Sequence, residues 1–154
     1  MTTMRKLNAN DYDELLFVLN RAFGNIYQRE MDFTRELPRM WVRDDEYMGK
    51  HIGMFEEGKL CSVVGVYPLP VRIAGETLNF ATTGNVATLP ECEGKGYFTK
   101  LFRAAMDEVD QAGYDAARLT GLRHRYARYG YHPCGGLYRF TFLRTNRINF
   151  FGNS

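Results

Sequence analysis

The stretch from residue 78 to residue 121 constrains the fold most, because it predicts two parallel strands joined by a helix. Residues 78–89 (LNFATTGNVATL) form a long strand pattern with small side chains along it. Residues 97–112 repeat apolar side chains at helical spacing until Gly113, and residues 114–121 (YDAARLTG) predict a short strand. Strands joined in this way pair in parallel through a right-handed crossover. The stretch therefore predicts an α+β or mixed α/β fold.

The residues before this stretch predict one strand, one long helix and a region of short helices. Residues 4–7 are strand-like, and Asn10 is positioned to cap a helix that keeps one apolar face until Gly24 ends it. Residues 25–50 predict one or two short helices around Pro38. In a binding protein, such a segment often borders the substrate cleft.

Turn residues divide the rest of the chain into antiparallel strands. Residues 51–66 predict a β-hairpin around Gly58, and Ala74–Gly75 predicts a second turn. Residues 136–144 (GLYRFTFLR) predict a final strand. We expect residues 1–154 to form one domain, which is large enough to bury a core without disulfides or a structural metal.

Composition excludes several classes of protein. Apolar residues make up 45% and charged residues 25% of the sequence, which excludes a largely disordered chain. No apolar run approaches the roughly 18 residues that span a bilayer, and the N-terminal residues lack the apolar core of a signal peptide. We therefore expect a cytoplasmic protein without a membrane partner.

The three cysteines, Cys61, Cys92 and Cys134, are widely spaced and include no C-x-x-C pair. This spacing predicts neither a disulfide framework nor a zinc site, so we expect no metal. Buried, reduced thiols are the favoured interpretation. A cysteine nucleophile with His124 or His132 is a less favoured alternative, because sequence spacing says nothing about proximity.

Charge is unevenly distributed along the sequence. The net charge is +2, but Asp115 is the last acidic residue and seven arginines follow it. Residues 1–115 carry −5 and residues 116–154 carry +7. The basic segment suits an anionic ligand, a nucleic acid or an acidic partner, and a solvated arginine face explains it equally.

The loop between the strand and the helix has the sequence PECEGKGYF, with Gly94 and Gly96 on either side of Lys95. Glycines ahead of a helix can present unpaired backbone N–H groups and the positive end of the helix dipole to a pyrophosphate. The loop matches neither the Walker A pattern nor the three-glycine dinucleotide fingerprint. Local sequence supports a phosphate site and an ordinary turn about equally.

A second chemistry-bearing stretch is RHRYARYGY, which spans residues 123–131. Its arginines could contact phosphates, and a tyrosine with a pKa near 10 could protonate a departing thiolate. The alternative is that Tyr126 or Tyr129 only packs on the sheet. Arginines interleaved with aromatic residues also suit nucleic acid, but the run is too short to favour that partner, and we expect none.

Taken in this order, these stretches resemble the GNAT superfamily of N-acetyltransferases over nearly the whole chain. Within it the sequence is most similar to the N-terminal domain of Eis-like acetyltransferases, through VYPLPVRIAGETL, TGNVAT and RYARYGY. The resemblance implies a central, mostly antiparallel twisted sheet with a parallel β-α-β step and helices on both faces. It also implies acetyl-CoA as co-substrate, without a metal.

The resemblance implies roles for individual residues. The family's pyrophosphate loop, Gln/Arg-x-x-Gly-x-Gly/Ala, aligns with residues 93–98, so Glu93 and Phe98 depart from it and Gly96 matches. The family's general acid lies four residues before a Gly-Tyr or Gly-Phe pair, which places Tyr126 in that role. The backbone of the preceding strand would hold the pantetheine and the acetyl carbonyl. The cofactor-binding residues so implied are Val86, Ala87, Thr88, Gly94, Lys95, Gly96, Tyr97, Phe98 and Thr99.

The implied activity is acetyl transfer from acetyl-CoA to a primary amine of a small-molecule or peptide acceptor, by direct attack. Residues 78–90 contain no Asp or Glu that could act as the general base. The base could therefore be water, His51, His124 or a carboxylate from elsewhere in the chain. Since Glu93 is unfavourable beside a pyrophosphate, the alternative is a catalytically weak acyl-CoA-binding or partner-binding module. Eis-like relatives continue into further domains, so a homo-oligomer or an additional domain partner is a further expectation.

Overall fold

A five-stranded mixed sheet organises the described residues, which are 1–121 and 123–134 of the computed structural model. Its strands lie side by side in chain order, the first three pairings are antiparallel, and the last pairing is parallel. The parallel pairing predicted from residues 78–121 is therefore confirmed. The strands are β1 (Thr2–Lys6), β2 (His51–Glu56), β3 (Lys59–Ile73), β4 (Glu76–Thr88) and β5 (Ala116–Arg118).

The helices follow the predicted order. The two long ones are the amphipathic helices expected after the first strand and after the glycine loop, and the region 25–50 contains two short helices. The predicted strand at residues 136–144 lies outside the described residues. None of the described helices is long and apolar enough to cross a membrane. The helices are α1 (Tyr12–Tyr27), α2 (Phe33–Glu36), α3 (Asp45–Met48), α4 (Tyr97–Gln111) and α5 (Arg123–Tyr126), with 3-10 turns at Ala9–Asp11, Pro90–Cys92 and Ala127–Tyr129.

Both predicted ends of α1 are wrong. The N-cap residue of α1 is Asp11. Asn8 caps the 3-10 turn that precedes α1: its side chain accepts from the Asn10 N–H at 3.0 Å, and its own N–H donates to the Asp11 carboxylate at 2.8 Å. Gly24 lies inside the helix, and Gln28 ends it in the left-handed region at φ 53°. Gly24 is needed for another reason: a Cβ there would lie 3.0 Å from the Arg29 carbonyl oxygen, where the chain returns.

Helices cover both faces of the sheet. Arg5 and Lys6 are adjacent in β1 and point to opposite faces: Arg5 contacts Asp11, just before α1, at 2.7 Å, and Lys6 contacts Glu108 of α4 at 2.5 Å. The central strands are therefore buried on two sides, as their burial patterns show. Fully buried side chains meet them from both helices, namely Leu15, Val18 and Leu19 of α1 and Leu101, Phe102 and Ala105 of α4.

A β-bulge interrupts β4. Gly84 pairs with Gly65 and Ala87 pairs with Val63, so two residues, Asn85 and Val86, lie opposite one residue of β3. Asn85 has a left-handed backbone, with φ 50°. Such a bulge bends the strand and increases its twist. Within the described ranges, β5 pairs with β4 only as far as Thr82, so the later part of β4 has no strand along that edge.

Candidate active site

The loop between β4 and α4 forms an anion-binding geometry. Gly94 and Gly96 have φ values of 77° and 73°, a left-handed region that residues with a Cβ avoid. Gly96 is the N-cap residue of α4, and no described side chain caps this helix end. The first N–H groups of α4 therefore lack helical acceptors, and the positive end of the helix dipole lies beside them.

A cleft of about 310 Å³ opens at this loop. Arg125 of α5 lines it, and its guanidinium lies over the ring of Phe98 at 4.2 Å from the ring centroid. The sequence indicated arginines near phosphates in general but did not single out Arg125. The cleft is lined by Thr88, Cys92, Glu93, Gly94, Gly96, Tyr97, Phe98 and Arg125, so it brings together five of the nine predicted cofactor residues.

The side chains of Lys95 and Thr99 are engaged elsewhere. The Lys95 ammonium lies 2.6 Å from Glu56 Oε2, and this hydrogen bond lowers the pKa of Glu56 and raises that of Lys95. The Thr99 hydroxyl accepts from Arg128 at 3.4 Å. Lys95 is therefore paired with β2, whereas Arg125 is the cation among the described residues that line the cleft.

Val86, Ala87 and Thr88 follow the bulge at the end of β4. Ser62 of β3 fixes this end, because its hydroxyl donates to the Ala87 carbonyl at 2.8 Å and lies 2.7 Å from the Thr88 hydroxyl. Thr88 lines the cleft, whereas Val86 and Ala87 precede it on the strand edge that no described strand covers. Backbone groups on this edge can bind an extended ligand arm.

Tyr126 is buried in an aromatic cluster next to the cleft. Its ring centroid lies 6.2 Å from that of Phe98 and 5.2 Å from that of Phe102. Burial raises the pKa of the Tyr126 hydroxyl, and nearby Arg125 partly offsets this. The phenol is therefore protonated at neutral pH and can act as a proton donor.

Tyr126 lines a second, smaller cavity of about 140 Å³ rather than the loop cleft itself. Gly121 lets the ring approach, because a Cβ at that position would lie 2.7 Å from a ring carbon of Tyr126. Tyr131 connects the cavity to β4 through a 2.6 Å hydrogen bond to Thr83. The structure thus places the predicted acid and the predicted phosphate loop in neighbouring cavities, with Phe98 between them.

A buried polar network holds the bulge from the opposite face. His51 is fully buried, its Nδ1 donates to the Met48 carbonyl at 3.2 Å, and its Nε2 accepts from the Tyr67 hydroxyl at 2.7 Å. Asn85 donates to that hydroxyl at 2.6 Å. Burial lowers the pKa of His51 to about 4, so the ring is neutral. Sequence spacing gave no signal for this network, because its members come from three strands.

The fold also brings two distant cysteines together. Cys61 and Cys92 are buried, and their sulfurs and a Glu56 oxygen all lie within 4.8 Å of one another. Burial raises the pKa of the Cys61 thiol to about 12. The third cysteine, Cys134, is exposed. The expectation of no metal rested on spacing along the sequence, which did not reveal this proximity.

The fold is shared with many solved structures, including the following three. Eis1 from Mycobacterium abscessus is 21% identical with a TM-score of 0.65, and the match covers 85% of this chain and 31% of that one. A probable N-acyltransferase from Enterococcus faecalis is 19% identical with a TM-score of 0.68, over 84% and 32% of the two chains. A predicted acetyltransferase from Clostridium acetobutylicum, solved with acetyl-CoA, is 16% identical with a TM-score of 0.70, over 92% and 96%.

The chain spans about a third of the length of the first two of these proteins. No curated protein matches the sequence. The family model for an acetyltransferase (GNAT) domain matches residues 3–134, which is most of the chain. The resemblance seen in the sequence motifs is confirmed, and the chain belongs to the GNAT family as an acyltransferase domain.

Proposed function

We propose that this domain binds acetyl-CoA and transfers its acetyl group to a primary amine of a small-molecule or peptide acceptor. One observation carries the proposal: the uncovered edge of β4 leads directly to the uncapped N-terminus of α4, where Gly94 and Gly96 expose the backbone. An extended arm along the strand and a pyrophosphate at the helix end match these two features in order. The acetyl-CoA in the C. acetobutylicum structure supports the same co-substrate.

The pyrophosphate would bind the backbone N–H groups of residues 94–99, with Arg125 supplying the positive charge. The side chain of Lys95 takes no part while Glu56 holds it. The pantetheine would lie along Val86, Ala87 and Thr88. The thioester then reaches the bulge in β4, where a backbone N–H group can stabilise the developing oxyanion.

The amine attacks the thioester carbonyl, a C–N bond forms, and the tetrahedral intermediate collapses by breaking its C–S bond. Tyr126 donates its proton to the departing thiolate, since its pKa is raised and it is protonated at neutral pH. His51 is fully buried and does not reach an acceptor directly. We assign the proton lost by the amine to water, and water returns a proton to the Tyr126 phenolate, which restores the acid for the next turnover.

Release of coenzyme A thiol across a panel of primary amines tests the reaction. In Tyr126→Phe, we expect kcat to fall by a factor of about 10²–10⁴, the usual contribution of a general acid. The matched control is Tyr129→Phe, because the Tyr129 hydroxyl is buried in the same aromatic cluster without a described partner. No turnover with any amine, or equal activity in Tyr126→Phe and Tyr129→Phe, would contradict the proposal.

Two observations favour a second candidate, an acyl-CoA-binding module with little turnover. Glu93 places a carboxylate at the phosphate cleft, and Lys95 is held away by Glu56. Both weaken the attraction for a pyrophosphate. Calorimetry with coenzyme A separates the candidates: binding without thiol release in the amine panel supports the module, and binding with turnover supports the enzyme.

A further inference from the structure

Glu56, Cys61 and Cys92 form a compact set of metal-ligand atoms beside the phosphate loop. The Cys61 sulfur lies 3.9 Å from Glu56 Oε2, and the two sulfurs and the oxygen all lie within 4.8 Å of one another. A tetrahedral zinc ion with bonds of about 2.3 Å to sulfur and about 2.0 Å to oxygen separates its ligand atoms by roughly 3.5–3.8 Å. The three side chains therefore need only a small contraction to share one ion.

The backbone holds the two cysteines in this arrangement. The Leu89 N–H donates to the Cys61 carbonyl at 2.9 Å, and the Cys92 N–H donates to the Leu89 carbonyl at 2.9 Å. These bonds fix the 3-10 turn that carries Cys92 against the strand that carries Cys61. Both cysteines are 5% exposed, whereas Glu56 is half-buried and gives access from solvent. A donor set that is already positioned lowers the ordering cost of binding an ion.

We propose that Glu56, Cys61 and Cys92 bind a divalent cation of the zinc class, with water as the fourth ligand. Two thiolates and one carboxylate suit zinc better than calcium or magnesium, which prefer oxygen ligands. Binding releases the two thiol protons to solvent, because the thiolate is the ligand.

The ion competes with Lys95 for the same carboxylate. Glu56 Oε2 accepts from the Lys95 ammonium at 2.6 Å and is also the oxygen nearest to Cys61. When the cation binds Glu56, the ammonium of Lys95 loses this partner, and Lys95 is the residue between Gly94 and Gly96 of the loop. Ion binding therefore makes a positive charge available to the loop. This last step rests on the proposed coenzyme A site, whereas the cation site does not.

Titration of the reduced full chain with Co²⁺ tests the site, because tetrahedral Co²⁺ bound by thiolate has a near-ultraviolet charge-transfer band and visible ligand-field bands. We expect both at one ion per chain, and Zn²⁺ should abolish them. Cys61→Ser and Cys92→Ser should each remove the charge-transfer intensity. Glu56→Gln should weaken Co²⁺ binding at least about tenfold, since even partners one step removed from a metal contribute that much.

Two variants separate this site from other effects. Cys134→Ser is the matched control, because that cysteine is exposed and should leave the bands intact. Lys95→Ala should strengthen Co²⁺ binding by removing the competitor for Glu56. The proposal is overturned if no thiolate band forms, or if the band persists in both Cys61→Ser and Cys92→Ser, or if only Cys134→Ser removes it. Should Cys61→Ser fail to fold by circular dichroism, Cys92→Ser and Glu56→Gln decide the question.

Coenzyme A affinity, measured by calorimetry with and without Zn²⁺, tests the link to the loop separately. Stronger binding with Zn²⁺ in the wild type but not in Lys95→Ala is the expected result. Equal affinity in the wild type would refute the coupling. Absence of coenzyme A binding in both conditions would refute the proposed function while the Co²⁺ titration still decides the cation site.

Discussion

Phe98 occupies the position where the family loop usually has glycine or alanine, and its ring carries Arg125. The guanidinium lies 4.2 Å from the ring centroid, a distance at which cation–π attraction contributes about 0.5–2 kcal/mol. The ring therefore positions a cation at the cleft that already contains Glu93. Arg125 of α5 therefore compensates for both departures from the family loop, because it packs on the ring of Phe98 and places a positive charge in the cleft that contains the Glu93 carboxylate.

Replacing Arg125 with glutamine should weaken coenzyme A binding by about one order of magnitude or more, because a charge-assisted hydrogen bond to phosphate contributes about 1.5–3 kcal/mol. Calorimetry at low salt measures this effect. Arg103→Gln is the matched control, because Arg103 lines a different cavity, which α4 forms with β1 and β2. If the two substitutions weaken binding equally, Arg125 has no specific role.

Single residues were predictable where their chemistry is local. Gly94 and Gly96 follow a strand pattern and precede a helix, so the sequence indicated both. Tyr126 was singled out only through the family resemblance, and its role stays a prediction. The side chains of Lys95 and Arg125 were not predictable in the same way. Lys95 is paired with Glu56, 39 residues earlier, and Arg125 reaches Phe98 only because α5 folds back over α4.

At the scale of elements, the left-handed backbone of Gly96 determines where α4 begins. A Cβ there would meet no described atom within 4 Å, so an alanine fits sterically and its cost is backbone strain. That strain is roughly 1 kcal/mol. It would act on the same N–H groups that we assign to the pyrophosphate.

Gly96→Ala and Gly75→Ala should therefore destabilise the fold similarly, by about 1 kcal/mol each in urea unfolding. Gly75 has φ 91°, equally open surroundings among the described residues, and a place in the turn between β3 and β4. Only Gly96→Ala should also weaken coenzyme A binding in calorimetry. Loss of affinity in Gly75→Ala as well would show that general destabilisation, rather than the loop, controls binding.

Elements with strong periodicity were predictable, and their ends were less so. The apolar repeat of α4 gave its limits almost correctly, because Gly96 and Gly113 enclose it and both adopt positive φ. In α1 the same rule failed at Gly24, since the helix continues for three more residues. The carbonyl of Arg29 lies against Gly24 and leaves little room for a Cβ there. This is a tertiary contact, and the apolar periodicity of the sequence does not predict it.

Across the whole molecule, His51 links protonation to folding. Its pKa falls from an ordinary 6.5 to about 4, because burial disfavours the charged ring. Below pH 6.5 the unfolded chain therefore takes up a proton that the folded chain does not accept until about pH 4. The stability due to neutral His51 is complete above pH 6.5 and decreases as the pH falls toward 4, by about 3 kcal/mol in total.

His51→Gln should reduce the dependence of the free energy of unfolding on pH. Urea unfolding of the wild type and the variant between pH 4 and pH 7 measures it, and the wild type should lose about 1 kcal/mol more per pH unit across this window. The variant loses stability at neutral pH because its buried network is incomplete, so the slope rather than the absolute value is the readout. Parallel slopes would show that His51 is not the titrating group. His124→Gln is the matched control, because His124 is exposed.

The order of elements in the whole fold was predictable, and the break in β4 was not. Alternating patterns and turn glycines specified the hairpins, and the β-α-β step specified the parallel pair. The small side chains of β4 predicted only that a ligand or another backbone segment comes close to this strand. The bulge depends on the hydrogen bond from Asn85 to Tyr67 and on that from Tyr67 to His51. These residues lie on three different strands, so no local pattern predicts their contacts.

The bulge also limits how this sequence can evolve. Gly84 and Ala87 are three residues apart and yet share a face, because Gly65 and Val63 opposite them are two apart. The odd-numbered residues of β4 therefore point to one face of the sheet before residue 85 and to the other face after it. Loss of one residue at the bulge would restore a regular ladder and keep Ala87 opposite Val63 on the same face. Loss or gain of one residue elsewhere in the strand would instead exchange the side chains that face the two sides of the sheet beyond that point. Among related sequences, single-residue length changes in this strand should accordingly lie at the bulge, and an ungapped alignment to a relative without the bulge would assign every later position to the wrong face.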